Sequence, residues 1–244
     1  MSVVLFAGPS LPSADRIAAE GVEWRPPAEA GDLLRLDLRP GLTICLVDGY
    51  FDHRPAVRHK EILLALAAGV RVIGASSMGA LRAAEMTAFG MEGIGAIFRA
   101  YASGRISGDD EVALVHAPAE WDWRPLSLPM IEVRATVCRL LRHRRIAEAD
   151  ARLLINSARA VHYSERSWAD MLSAVAPEKR APLQALLERE HVPLKRTDAV
   201  DAMHEALTAK TTAEPRPEAV VTSFLRALAR ECGVPLSPER AGAG

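Results

Sequence analysis

The run Val70-Arg71-Val72-Ile73 has the character of a buried strand, and within a few residues the chain has become the alanine-rich helix pattern of Ala80-Leu81-Arg82-Ala83-Ala84-Glu85. Between the two lie Gly74-Ala75-Ser76-Ser77-Met78-Gly79, two serines among residues with little or no side chain. So abrupt a strand-to-helix change is the mark of a parallel sheet layered with helices. It also lifts a serine hydroxyl out of the sheet edge, where small neighbours admit a substrate and the first helical N–H groups face an anion. Ala75-x-Ser77-x-Gly79 is the nucleophile-elbow pattern with Ala in place of the first Gly. The same small residues also serve close helix–strand packing, so the pattern alone leaves catalysis and packing both open.

The alternation continues on the N-terminal side. Apolar runs at 3–7, 42–47 and 70–73 read as parallel strands, each ending at a small or acidic turn: Gly8-Pro9-Ser10, Asp48-Gly49 and the double serine. Helix patterns follow at 13–20, 55–68 and 78–89, with a further short element of unassigned type at 32–37. The βαβαβα order predicts an N-terminal parallel-sheet α/β layer. From about residue 126 the pattern becomes amphipathic helices at 129–145, 147–163, 167–175, 178–190, 197–209 and 217–232. In the first of these, Ile131, Val133, Val137, Leu140 and Leu141 are expected to point inward. A loop at 212–217 and a loose tail at 233–244 complete the chain. The expected division is an α/β domain over 1–120, a helical domain over 126–232 and the tail, with the boundary near 118–125.

Ligands of such a layer collect beyond the carboxyl ends of the strands, which places Gly8, Asp48 and Ser77 on one rim. Lys60 lies early in the helix that leaves the second strand, and helical side chains lean toward the N-terminus, so its ammonium returns to that rim. Lys179, Lys195 and Lys210 lie in the helical part. A lysine that accepts a serine proton must be neutral, which burial or neighbouring cations promote. The apolar run 62–66 with Arg54 and Arg58 supplies both in sequence, and Glu61 opposes them if it shares the pocket. Amides of Met78, Gly79 or Gly8 are candidates to hold an oxyanion. From spacing alone, Lys60 reads more readily as a surface residue in an ion pair than as a base. Asp48 reads as an orienting or substrate-binding group or as a turn cap, and Arg82 with Glu85 as a helix salt bridge. Ser76 competes with Ser77, which stands symmetrically between Ala75 and Gly79.

Other classes find little footing. A formal charge of −1 over 244 residues gives no general pull toward nucleic acid or anionic membrane. The N-terminus runs straight into a strand pattern without a basic stretch, unlike a signal peptide, and the apolar run 62–70 is too short to span a bilayer. Cys45, Cys138 and Cys232 lack metal-site spacing and read as reduced thiols of a cytoplasmic protein. His53, His59 and His116 with Asp109, Asp110 and Glu111 lack metal-ligand spacing, so no metal is expected. No phosphate-loop glycine pattern is present.

The dodecamer 74–85 resembles the core signature of the TfuA family. Asp48-Gly49-Tyr50-Phe51 and His59-Lys60-Glu61-Ile62-Leu63 resemble its preceding block. Phe89-Gly90-Met91, Tyr101, Asp109-Asp110-Glu111-Val112-Ala113 and His116 resemble the block that follows. The resemblance is strong over 48–116 and looser to about residue 201. The short run 75–80 is also similar to the nucleophile region of Clp-type serine peptidases.

The TfuA resemblance implies an accessory role in YcaO-dependent peptide backbone thioamidation, without a cofactor. In that role the chain would hydrolyse the C-terminal thiocarboxylate of a ThiS-like carrier, with Ser77 as nucleophile and Lys60 as base, and Ser76, Asp48 and Arg82 near the substrate. The implied partners are a YcaO-type enzyme, the ThiS-like sulfur carrier and a precursor peptide. The contrasting expectation is a non-catalytic adaptor for YcaO and the peptide. In either case the helical part is the expected protein-binding face, and Trp121-Asp122-Trp123 reads either as a partner-contact loop or, the more common fate of such tryptophans, as packing between the two parts.

Overall fold

The computed structural model describes residues 2–50, 52, 54–208 and 220–235. Phe51, His53 and Lys210, the expected loop at 212–217 and most of the expected tail lie outside the described residues.

Five strands form one parallel sheet in the order β2-β1-β3-β4-β5, where β1 is Ser2–Phe6, β2 Val22–Arg25, β3 Leu42–Leu46, β4 Arg71–Ala75 and β5 Glu92–Ile94. The three strands expected from the apolar runs are its centre. Their side chains alternate between two faces, and both faces are covered, which explains why β1, β3 and β4 read as continuous apolar runs. On one side, Val4, Phe6, Ile44, Leu46 and Val72 pack with Ile62 and Leu66 of α1 (His59–Ala67) and with Met78, Ala83 and Met86 of α2 (Met78–Met86). On the other side, Val3, Leu5, Cys45, Ile73 and Ala75 pack with Ala199, Ala202, Met203 and Ala206 of α8 (Leu194–Ala206). The i, i+3, i+4, i+7 spacing of those four residues makes a narrow stripe that lies close against the sheet.

Two edge strands escape the sequence reading. β2 and β5 are only half-buried and short, so neither carries an apolar run. The helix expected at 13–20 is a single 3₁₀ turn, Ser13–Asp15, followed by extended chain. Arg16 accounts for the difference: its guanidinium donates to Leu11 O at 3.1 Å and Ala7 O at 3.3 Å and lies over the Trp24 ring. These bonds hold the segment against the end of β1. The element at 32–37 is a run of turns that buries Leu33, Leu34 and Leu36. β5 leads directly into α3 (Gly95–Ala102), and α9 (Ser223–Glu231) packs Leu225, Leu228 and Ala229 on Leu34 and Leu64.

The chain divides into two compact units. One comprises residues 1–105 and 196–244, the other 106–195. The sequence pattern suggests a single cut near 118–125, whereas α8 and α9 cluster with the sheet. The second unit contains α4 (Met130–Arg142), α5 (Glu148–Ala160), α6 (Trp168–Met171) and α7 (Pro177–Arg189) around Val133, Val137, Leu140, Leu154, Trp168 and Leu187. Leu141, expected inward, is 38% exposed because the buried stripe of α4 runs through 133, 137 and 140.

Candidate active site

Gly8, Asp48 and Ser77 follow β1, β3 and β4 and share the carboxyl edge of the sheet. The strand order reverses direction between β1 and β3, the place where ligands of doubly wound sheets bind. Here that crevice is clasped shut by a carboxylate. Asp48 Oδ2 accepts the N–H groups of Gly8 at 2.8 Å and Ser10 at 2.9 Å, and Oδ1 accepts the Ser10 hydroxyl at 2.6 Å. Buried Asp48 therefore ties the loop after β1 to the loop after β3. The Gly8 amide is occupied by the same bond.

One strand further along, the double serine behaves unevenly. Ser76 takes a left-handed φ of 65° and is fully buried, and its hydroxyl has no hydrogen-bond partner among the described residues. Ser77 has φ −113°, 8% exposure and a hydroxyl that neither caps α2 nor bonds any described residue. The sharp backbone reversal of the elbow falls on Ser76, while Ser77 keeps access to the rim. Nothing in sequence marks this division, since a serine in the left-handed region looks like any other.

The glycines serve the close packing that the sequence left open. A Cβ on Gly79 would stand 1.8 Å from Leu46 O, and one on Gly74 would stand 2.1 Å from Gly79 O. The first turn of α2 thus lies directly on the backbone of β3, and the Gly79 N–H is spent on Val47 O at 3.3 Å. Of the three amides read as oxyanion donors, that of Met78 alone has no acceptor among the described residues.

The three helices that rise from this edge differ in how their N-terminal charge is met. At α1, Glu61 turns its carboxylate back to the Arg58 N–H at 2.7 Å and also accepts Gly31 N–H at 3.0 Å and Leu33 N–H at 3.2 Å. Burial pushes the Glu61 carboxyl up to about 7, against the smaller opposing effect of these amides. Beyond its own helix, its bonds go to the 29–36 turns, on which no expected site residue lies. At α3, Asp198 of α8 accepts Ala96 N–H at 2.9 Å and Ile97 N–H at 2.7 Å, and burial raises its carboxyl above the usual range. This cap comes from 101 residues away, beyond any local motif. At α2 there is no acidic residue in the first turn and no side-chain cap.

Lys60 is half-buried in the first turn of α1 and makes no hydrogen bond or ion pair among the described residues. The elements around it are braced. Arg82 Nε donates to Val57 O at 2.9 Å and its Nη1 to Glu85 at 2.6 Å, while Glu85 also holds His59 Nε2 at 2.8 Å. Arg82 and Glu85 form the expected salt bridge and extend it to the start of α1. Arg54 is compensated by Glu29 at 3.2 Å and lies over Tyr50, and Arg58 lies over Phe224. No group of three or more His, Cys, Asp or Glu is placed to hold a metal ion among the described residues. Glu111 is instead engaged by Arg134 and His116 by the carbonyl of Ala117. Lys195 is buried, with Nζ donating to Val112 O at 3.0 Å. Among the described residues, no helix is long and apolar enough to cross a membrane.

Among the described residues, the arrangement offers an unbonded Ser77 hydroxyl and a Met78 amide without an acceptor at the start of α2, and an unpaired Lys60 in the first turn of α1. Residues 48–167 match the family model described as TfuA-like protein. No curated protein matches the chain.

Proposed function

Because the chain belongs to the TfuA-like family, whose members accompany YcaO enzymes, we propose that its sheet-bearing unit is a Ser–Lys hydrolase serving peptide thioamidation. The substrate is the C-terminal thiocarboxylate of a ThiS-like carrier. The observation that carries this reading is the contrast along the rim. The N-termini of α1 and α3 hold carboxylates, whereas at α2 the Ser77 hydroxyl and the Met78 amide have no partner among the described residues.

Ser77 Oγ attacks the thioacid carbonyl as Lys60 takes its proton, and the Met78 N–H with the α2 dipole supports the oxyanion. Lys60 returns that proton to sulfur, the carbon–sulfur bond breaks, and hydrosulfide leaves a serine ester. Water, deprotonated by Lys60, then cleaves the ester to a carboxylate and free Ser77. Hydrosulfide becomes available to the amide that YcaO activates. The unit over 106–195, with Trp121 65% exposed and Arg124 over its ring, engages YcaO.

Single-turnover sulfide release from the purified thiocarboxylated carrier is the test. Ser77→Ala and Lys60→Ala should each abolish it while leaving the protein folded. Lys60→Arg should fail nearly as completely, because a guanidinium stays protonated. Near-wild-type rates with Lys60→Arg would remove the base from the mechanism.

A second reading, the non-catalytic adaptor, draws on the Gly74 and Gly79 contacts and on the occupied Gly8 and Gly79 amides. Under it, Ser77→Ala supports thioamidation at the wild-type level in a reconstituted YcaO reaction fed by the carrier.

A further inference from the structure

The unit over 106–195 carries a concentration of charge that the chemistry at Ser77 does not use. Arg139, Arg142, Arg144 and Arg145 fall within residues 139–145, at the end of α4 and in the turn that follows it. The formal charge of the whole chain is only −1, so this excess is local and not compositional.

Glu190, directly after α7, is the carboxylate that meets the group. Arg139 lies 3.6 Å from it, Arg145 4.0 Å and Arg189 3.3 Å, so one negative charge is shared among three guanidiniums. Arg142 and Arg144 are exposed, and their side chains make no hydrogen bond or ion pair among the described residues. The next acidic side chain along the sequence, Glu148, is held by Arg152 at 3.2 Å. Arginine does not lose its proton in proteins, so the positive excess is permanent.

The backbone supplies a second observation. Arg145 N–H donates to Leu140 O at 2.9 Å and Arg144 N–H to Leu141 O at 3.0 Å, the pair of bonds that closes a helix through a left-handed residue. Arg144 is that residue, with φ 54°. Glycine is the usual occupant, because a Cβ is strained there. The carbonyl end of a helix favours a cation nearby, but not at the one position where its backbone is strained. Exceptions of this kind gather at functional sites.

The flank of the charged group is apolar. Cys138, Leu141 and Arg142 stand at i, i+3 and i+4, neighbours on the outer face of α4. Cys138 is exposed and Leu141 is 38% exposed. A nucleic-acid backbone would match the arginines and leave the leucine unused. A protein segment that carries both carboxylates and an apolar side chain matches the whole face.

We propose that the end of α4 and the turn after it form a docking surface for an acidic segment of a partner protein. Its carboxylates lie on Arg142 and Arg144, and an apolar side chain rests against Leu141. A guanidinium suits the role because it takes a carboxylate through two parallel hydrogen bonds. The proposal rests on the reading that this unit engages a partner protein and is independent of the chemistry at Ser77. Peptide binding and sulfide release are separate measurements, so failure here leaves the hydrolase reading standing.

The test is fluorescence anisotropy of the full chain with a labelled octapeptide, glutamate-glutamate-leucine-glutamate-glutamate-leucine-glutamate-glutamate. Saturable binding is expected at about 50 mM salt, weaker by about tenfold or more at about 300 mM. The peptide with lysine for glutamate should not bind, and serine for leucine should weaken binding by about threefold or more. Joint Arg142→Ala and Arg144→Gly removes two charges and should weaken binding by about tenfold. Glycine is favoured at φ 54° and alanine within a helix, so this variant should keep the amide-exchange protection of the last turn of α4. Arg142→Glu, at an exposed helical position, should weaken binding as much without touching the turn. The proposal is overturned if the glutamate peptide shows no saturable binding, if serine for leucine changes nothing, or if either variant binds as wild type does. An oligothymidylate of eight nucleotides that binds as tightly as the peptide would overturn it as well.

Discussion

Removing the Ser76 hydroxyl should make the protein more stable without stopping the chemistry. Ser76 is fully buried, and its oxygen meets no donor or acceptor among the described residues. A buried hydroxyl without a partner costs about 1–3 kcal/mol. Alanine removes that cost and gives up the dispersion contacts of one oxygen, about 0.1–0.2 kcal/mol each and a handful in number. The left-handed φ of 65° strains alanine as it strains serine, so this contribution cancels. The net gain for Ser76→Ala is about 1 kcal/mol. Glycine also relieves the strain but loses more backbone entropy, so Ser76→Gly should fall close to the alanine value. The chain has two compact units, so whole-chain melting is a poor gauge; native-state amide exchange of β1 and β4 peptides reads the relevant unit directly. Sulfide release by Ser76→Ala should stay within a few-fold of wild type. A loss of stability of about 1 kcal/mol or more would show that the hydroxyl has a partner after all. A dead Ser76→Ala beside an active Ser77→Ala would transfer the nucleophile to Ser76.

Three further outcomes follow from the rim. Gly79→Ala drives a Cβ into the Leu46 carbonyl, a backbone group that has no side chain to move aside, and should cost about 3 kcal/mol or more, read as loss of exchange protection across β3 and β4. Asp48→Asn can keep its oxygen on the amides of Gly8 and Ser10 but sets an NH₂ group against the Ser10 hydroxyl and removes the negative charge, and should cost about 2 kcal/mol by urea unfolding, while an unchanged midpoint would refute the clasp. Glu61 is held up to about 7 by burial, so the folded chain binds its proton more tightly than the unfolded chain does. Its contribution is complete below the ordinary carboxylate range and is lost as the pH rises through about 7. The stability advantage of wild type over the non-titrating Glu61→Gln should shrink by about 3 kcal/mol between about pH 4.5 and 8, and a flat difference would contradict the shift.

The centre of the sheet was legible because β1, β3 and β4 are covered on both faces and so are apolar without interruption. β2 and β5 were hidden for the opposite reason, as half-buried edges with no pattern of their own. Within the site, Asp48 and Ser77 were placed on one edge by the order of the strands, and Lys60 in the first turn of α1. What stayed hidden were the competitors for their bonding groups. Gly79 N–H goes to Val47 O, Gly8 N–H to Asp48, and Asp198 caps a helix 101 residues away. Such partners are set by tertiary approach and leave no local signature.

The return of α8 to the sheet has a consequence for biosynthesis and for dissecting the protein. The face of β1 bearing Val3 and Leu5 is covered by Ala199, Ala202 and Ala206, so this strand waits for a helix synthesised long after it. Residues 106–195 emerge as one continuous stretch in the meantime and can fold ahead of the unit that encloses them in sequence. A chain truncated after its middle would thus lose the sheet's cover along with its helices, and its inactivity would say nothing about which unit performs the chemistry. Excising 106–195 and bridging the gap with a flexible linker is the dissection that keeps Ser77 on an intact sheet.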